Sequence, residues 1–591
     1  MHIKTRKLSF QYIREMIANF KYPSFVAVLR ETLKGMNILD RKCSILRFNT
    51  EIEISILEQY FTVEQEPEYV TRDSLRSRSF ANSVSGHPKK KPTPIPAEDI
   101  DKKFVIKVYN ASRVNCEDEA KIGIEVGLYH GGEPLCDQKT SMDVSVNNEG
   151  EAIWEENVPF DIDVADIPRM SRLCMVLYEC SKSNKRTPLT WANITIFDFR
   201  GMLRTGCVCL SMWRYESPDI DRENLLHPLG TVVPNPNVDD ETTLTIGFER
   251  YTDSESPIQY QIVSELESII EGFNSEFESL KQTSNVPKNI LEQFRQICDR
   301  DPLIQMTEND KRLLWDLSTR NQCYLALPQS LPHVLQSVKW NDRKSVKEMM
   351  RLLSNWPPIQ PEVALGLLDY AYPDPNVRAY AIKCLEHMSD EDLMLLLLQL
   401  VQALKHESYL LNELARFLLL RALKNRHIGY QIFWLLRSEM QNSSVSVMYG
   451  LLLEAYCYGA KDHIKNLKEQ ISAMSKLCET SEYLKEEIAR QKPSRDKQKA
   501  LLLEHIKKDG FKDAFAGVVN PLDSRTRFGV IKADKCNLMD SKMKPIWLVF
   551  TNDLGAEDTY VIYKNGDGKF HTFKFQKTRT KKHFTVFEKI R

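Results

Sequence analysis

Two stretches near the end of the sequence carry side chains with usable chemistry: MDSKMKPIWLVF at 539–550 and VIYKNGDG at 561–568. Both read as opening strands of a nucleotide-binding lobe. Side chains alternate across a strand, so Lys564 shares a face with Ile562, and a cation held there beneath a hairpin can reach phosphate oxygens. Alone, a strand lysine is ordinary solvated surface. Cys207 and Cys209 also share a strand face, but two thiols without further ligands nearby make a poor metal site. The thirteen cysteines include no Cys-x-x-Cys pair. They read as reduced, mostly buried thiols, and no metal site is expected.

These residues need domains to position them. A chain of 591 residues suggests about three to four domains, each able to bury a core. Lys plus Arg is 80 and Asp plus Glu is 81, so no global field argues for nucleic acid as a partner. The N-terminus has no apolar core of signal-peptide length. LMLLLLQLVQAL, 393–404, is shorter than the roughly twenty apolar residues a bilayer crossing needs. It is interrupted by Gln399 and Gln402, and a buried core helix is predicted there. The expected location is the cytoplasm, with peripheral membrane contact.

Helical spacing predicts two short helices within 7–36. A linker rich in Ser, Pro and Lys, with a basic cluster at Lys89, Lys90 and Lys91, ends near 100. From Phe104 to about Tyr251 the pattern is short strands punctuated by turns. In KIGIEVGLYHGGEPL, Ile122, Ile124, Val126 and Leu128 alternate with Gly123, Glu125 and Gly127 before a Gly-Gly reversal. An antiparallel sandwich is predicted. An amphipathic helix is predicted from Ile262 to Leu280, then a succession of helices from Pro287 to about 490 that reads as an α-solenoid. Asp374 before Pro375 suits an N-cap, and Ser389 with Asp392 makes a capping-box variant.

In this order, YHGGEPLCD (129–137), IPRMSRLC (167–174), LTWANITIFDF (189–199), RDPLIQMTENDK (300–311), LPHVLQSVKWN (331–341) and DYAYPDPNVRAYAIKCL (369–385), followed by MDSKMKP and YKNGD, are similar to one family. The chain resembles the catalytic subunit of class IA phosphatidylinositol 3-kinases over about 7–567. The resemblance implies a multidomain fold: an antiparallel β-sandwich of C2 type, an α-helical solenoid (the PIK helical domain) and a partial α+β kinase N-lobe. Residues 1–36 match the tail of a Ras-binding domain, 37–100 a linker, 101–252 the C2 domain and 253–286 a linker helix. Residues 287–490 match the helical domain and 491–568 the partial N-lobe. A divergent basic tail, 569–591, follows; it carries eight Lys or Arg and one Glu and is expected to be an unpacked extension.

The family's activity is ATP-dependent 3-phosphorylation of phosphatidylinositol 4,5-bisphosphate with magnesium, in signalling at the plasma membrane. By the resemblance, Ser541 and Lys544 match its phosphate-contacting loop, Trp547 lies near the start of the adenine pocket, and Lys564 reaches phosphate. Asn115, Glu223 and Glu308, with Gln305 and Asn309 beside the last, match contacts to an SH2-containing regulatory subunit. A first-turn acid such as Glu308 also complements a helix N-terminus without any partner. The family's Asp-Arg-His catalytic loop and Asp-Phe-Gly metal element find no counterpart after Lys564. DFRG at 198–201 and DREN at 221–224 lie in the sandwich region and are chance matches. The expectation is a chain truncated within the N-lobe and inactive by itself, with no catalytic or metal residues of its own. Most of the Ras-binding domain is unmatched, which counts against contact with a Ras-type GTPase. The alternative is a non-catalytic binding module that engages the regulatory subunit.

Overall fold

A computed structural model describes residues 93–116, 121–180, 186–215, 225–237, 240–252, 256–260, 287–300, 306–410, 412–440, 442–460, 463–521, 523–540, 544–552, 559–566, 569–577 and 582–586. The helices expected within 7–36 and 262–280, the Lys89–Lys91 cluster, DREN, Glu223, Gln305 and Ser541 lie outside them.

Seven longer strands build the sandwich: β1 Lys103–Ser112, β2 Lys121–His130, β3 Ala152–Asp163, β4 Arg172–Cys180, β5 Arg186–Thr195, β6 Gly206–Ser211 and β7 Thr243–Phe248. One sheet runs β6-β7-β1-β3; the other centres on β5-β4-β2, with short strands at both ends, and every pair is antiparallel. Alternate residues meet between the sheets, among them Phe104, Ile106, Ile124, Val126, Phe160, Leu173 and Ile194. Alternation of the kind in β2 commonly leaves one face of an antiparallel strand in water. Instead both faces are buried, because Tyr129, Val176, Tyr178 and Leu226 form a second cluster on the outer side. Gly123 makes room for it: a Cβ there would sit 2.2 Å from the Tyr178 hydroxyl oxygen.

Thirteen α-helices follow among the described residues: α1 Lys288–Cys298, α2 Glu308–Thr319, α3 Leu331–Gln336, α4 Arg343–Ser354, α5 Pro361–Gly366, α6 Pro375–Leu385, α7 Asp390–Ala403, α8 Glu413–Lys424, α9 Arg426–Glu439, α10 Ser446–Gly459, α11 Ile464–Gln491, α12 Arg495–Ile506 and α13 Asp509–Phe515. One continuous apolar core joins α1 to the start of α11. The predicted caps form as read. The Asp374 carboxylate accepts from the amides of Asn376 and Val377, and the Ser389 hydroxyl accepts from Asp392 N while donating to its carboxylate. The apolar run 393–404 becomes α7, burying Leu393, Leu397, Leu400 and Val401. No helix of the described residues is long and apolar enough to cross a membrane.

The boundary expected at 490 falls at the end of α11, Ile464–Gln491, and the core changes within that helix. The first part of α11 belongs to the solenoid core up to Ile471. From Ala473 onward it packs, with α12 and α13, beneath a third sheet through Leu477, Leu484, Leu502 and Phe515. That sheet runs β8 Phe528–Ile531, β9 Ile546–Asn552, β10 Thr559–Gly566, β11 Lys569–Lys577 and β12 Lys582–Val586, and Asn537–Leu538 also pairs with β9. The basic stretch after 568 was expected to be unpacked. Its backbone instead continues the sheet, with Ile562 opposite Phe573 and Phe575 opposite Phe584. Its Phe and Thr residues, alternating with cations, suit a strand as well as a tail.

Within the solenoid, Arg378 of α6 forms an ion pair of 2.7 Å with Glu407, with side chains only 6% and 7% exposed. Arg378 also donates to the carbonyls of Asp369, Tyr372 and Ala403. Removing one partner of such a pair leaves an uncompensated buried charge, at about 3–5 kcal/mol. Glu407→Gln is therefore expected to lower stability by that order in urea unfolding, whereas Arg351→Gln, which breaks the exposed pair with Glu348, is expected to cost under about 1 kcal/mol.

Candidate functional site

Lys544, Trp547 and Lys564, the described residues expected to meet a nucleotide, gather at one end of the third sheet. Ile546 of β9 lies opposite Tyr563 of β10, so Lys544, two residues before Ile546, and Lys564, one after Tyr563, flank the same end of this strand pair. Trp547 is half-buried on β9 with its backbone opposite Asn537 and Ile562. Lys564 lies two positions beyond Ile562, opposite His571. Lys544 has a left-handed backbone, φ 46°, and its Nζ is 3.4 Å from the Asp540 carboxylate. Arg495 of α12 pairs with the same carboxylate. The hydrogen bond from Lys544 and the charge of Arg495 hold the Asp540 carboxyl below the usual range. The turn entering β9 is thereby tied to the helices beneath the sheet.

Asn115 and Glu308, the described residues expected at a partner surface, do not converge with these. Asn115 is exposed just past the end of β1, and Glu308 is exposed as the first residue of α2. Thr307 caps α2 by accepting from Asp310 N. Glu308 lies 3.0 Å from Lys311 one turn on, and the hydrogen bond from Lys311 is the main reason its carboxyl is held low. It thus serves its own helix as first-turn acids do. Asn309 is exposed beside it. Asp198 of DFRG has a purely local role, accepting from the amides of Arg200 and Met202.

Sequence reasoning missed the seam between sandwich and solenoid. Arg172 of β4 donates from Nη2 to the Ser408 hydroxyl at 3.1 Å. The Tyr409 hydroxyl donates to the carbonyl of Phe197 at 2.6 Å and accepts from Arg169. Arg343 N donates to the Asp166 carboxylate at 3.0 Å, and its guanidinium lies over the Tyr260 ring. The His130 ring packs 4.4 Å from Trp340, and Asn341 donates to Leu135 O. The Gly-Gly reversal at the end of β2 reaches the solenoid: a Cβ on Gly131, φ 59°, would lie 2.3 Å from Ala371 O. The available signal was arginine inside apolar stretches, in IPRMSRLC and NVRAYAIKCL, since a buried guanidinium needs acceptors supplied from elsewhere.

Residues 118–249 match the family model described as phosphoinositide 3-kinase C2, and residues 281–469 match the phosphoinositide 3-kinase family accessory domain, the PIK domain. The chain belongs to the phosphoinositide 3-kinase family. It is 30% identical over 504 residues to phosphatidylinositol 3-kinase 1 of Dictyostelium discoideum, covering 80% of this chain and 30% of that protein. It is 30% identical over 496 residues to phosphatidylinositol 3-kinase 2 of the same organism, covering 76% of this chain and 26% of that protein. The chain therefore spans under a third of the length of these relatives. The C2 match lies within the sandwich, and the PIK match ends at 469, beside the last residues of the solenoid core. Five of the segments that carry the resemblance contribute residues to the seam: Gly131 and His130, Arg169 and Arg172, Phe197, Trp340 and Asn341, and Ala371.

Asp374, the cap of α6, is fully buried near this seam. Burial pushes its carboxyl up to about 6, against the opposing effects of amide hydrogen bonds from Asn376 and Val377 and the charges of Arg343 and Arg169. A carboxyl raised in the folded state contributes stability that is full below its unfolded value near 3.8 and lost as pH rises through about 6. Asn caps equally well and does not ionise. Between pH 4 and 7, the native chain is expected to lose up to about 3 kcal/mol relative to Asp374→Asn, at roughly 1.4 kcal/mol per pKa unit. Urea unfolding of both proteins across that range checks it.

Proposed function

We propose that this chain serves as the scaffold of a class IA-type phosphatidylinositol 3-kinase catalytic subunit, in the ATP-dependent 3-phosphorylation of phosphatidylinositol 4,5-bisphosphate. The observation that carries the reading is one connected framework: a C2 sandwich locked to a PIK solenoid, whose α11 continues beneath a sheet bearing Lys544, Trp547 and Lys564. The relatives in Dictyostelium discoideum are named phosphatidylinositol 3-kinases. The residues fit a nucleotide in part. Lys544 offers a cation and Trp547 a flat apolar surface, as the phosphate and ring ends require. Magnesium fits less well, since the described residues bring no three His, Cys, Asp or Glu side chains together.

Phosphoryl transfer depends on metal-held charge and a group that orients the attacking hydroxyl. Residues 1–591 supply neither an Asp-Arg-His loop nor an Asp-Phe-Gly element after Lys564. This 591-residue polypeptide, purified with ATP and magnesium, is expected to produce no 3-phosphorylated lipid above a mock preparation. Lipid product that survives Lys544→Ala and Lys564→Ala would contradict the placement of the nucleotide end.

The proposed partner is an SH2-containing regulatory subunit, with contact to anionic membrane at the cell surface as the setting. Asn115 and Glu308 are both exposed, as docking residues must be. Opposite basic residues, an interfacial acid replaced by a cation becomes a like-charge clash. Glu308→Lys is expected to weaken co-precipitation with the regulatory subunit, Asn115→Lys to weaken it separately, and the two to combine nearly additively because the sites lie on different units. Calorimetry at two salt concentrations isolates the electrostatic share. Unchanged binding by both folded variants would contradict this surface.

A further inference from the structure

A cavity lies on the seam between sandwich and solenoid. It is partly open to solvent and offers about 160 Å³, close in volume to a cavity that takes up benzene. Its wall comes from both units, with Val208 and Val232 from the sandwich and Val445, Met448 and Leu451 from the solenoid. Arg172 stands on the same wall.

The charge of Arg172 is unusual in its partners. Its hydrogen bonds go to the carbonyls of Pro228 and Gly230 and the hydroxyl of Ser408, all neutral acceptors. Glu407, the acid on the cavity wall, is committed to Arg378 at 2.7 Å. Lys405, the other cation of that segment on the wall, is paired with Glu439 at 2.9 Å. Arg204, the second guanidinium on the wall, donates to the carbonyl and hydroxyl of Thr195. The cavity thus offers Arg172, which the charge of Glu407 reaches but no carboxylate hydrogen-bonds, beside an apolar wall. Burial lowers the pKa of Arg172 from its ordinary value, and an anion beside it would offset that cost.

We propose that this cavity binds a compact aromatic carboxylate, its carboxylate accepting from Arg172 and its ring lying between the Val208 wall and Met448. A guanidinium takes a carboxylate through charge-assisted, often paired hydrogen bonds. A phosphate would leave the apolar wall without a partner. Because both units supply the wall, an occupant ties the sandwich to the solenoid.

The test is calorimetry and thermal unfolding of the full 591-residue chain with three probes: benzoate, benzyl alcohol and inorganic phosphate. Benzoate is expected to bind one to one and raise the unfolding midpoint, with benzyl alcohol at least about tenfold weaker for loss of the ion-paired hydrogen bond and phosphate weaker for loss of the apolar contact. Arg172→Gln should weaken benzoate at least about tenfold by the same reasoning. Arg172 also holds Ser408, so a second variant keeps the test independent of folding. Cys209 lines the cavity yet is exposed on β6, and Cys209→Trp should block entry without touching the core. No benzoate binding at millimolar concentration, equal binding of benzyl alcohol or phosphate, or unchanged benzoate binding by Cys209→Trp would each overturn the proposal.

Discussion

Three consecutive residues, Glu407, Ser408 and Tyr409, hold the two largest units together. Glu407 neutralises Arg378 inside the solenoid, Ser408 accepts from Arg172 of the sandwich, and Tyr409 bridges Phe197 O and Arg169. The physical constraint is the buried guanidinium. Arginine cannot discharge in a protein interior, so each one must find acceptors where it lies. Placing Arg378 on one unit and Arg169 and Arg172 on the other, with one short segment answering all three, fixes how the units sit. The apolar contacts add area without direction: Trp340 packs against both cores, and the hairpin at Gly131 closes on Ala371.

The same framework reaches the third sheet through α11. Gln470, fully buried, accepts from Trp434 of α9 at 2.9 Å and donates to Val519 O at 3.0 Å. One side chain therefore pins the solenoid to the chain entering the sheet. Beyond it, the C-terminal half of α11 lies under Ile546, Leu548 and Tyr563. In a phosphoinositide 3-kinase, such a continuous helix gives the strands that carry Lys544, Trp547 and Lys564 a fixed floor.

What could be read from the sequence was the chemistry that acts locally. Asp374 and Ser389 cap helices within three residues of themselves, the Gly131-Gly132 reversal needs positive φ, and the 393–404 run declares its burial by composition alone. Long-range events were hidden. Burial of both faces of β2 depends on Leu225 and Leu226, about a hundred residues downstream, and the continuation of the sheet past 568 is a tertiary pairing that composition cannot distinguish from a basic tail. Among the site residues, the alternation of β10 and the exposure of Glu308 follow from local pattern, and family resemblance supplied their proposed roles. The Asp540 link to Lys544 and Arg495 had no sequence signal, because it joins residues up to 45 positions apart. The seam was hidden for the same reason, with Arg169 and Tyr409 separated by 240 positions.

The measurement that bears most directly on the seam is scanning calorimetry of the full chain, with tryptophan fluorescence recorded in parallel. Trp191 and Trp213 report the sandwich, while Trp356 and Trp434 report the solenoid. If buried arginines answered by one segment fix the two units as a single body, sandwich and solenoid unfold in one shared transition, and Tyr409→Phe lowers that transition as a whole. Two resolved transitions in the native chain, with Tyr409→Phe shifting neither, would contradict it.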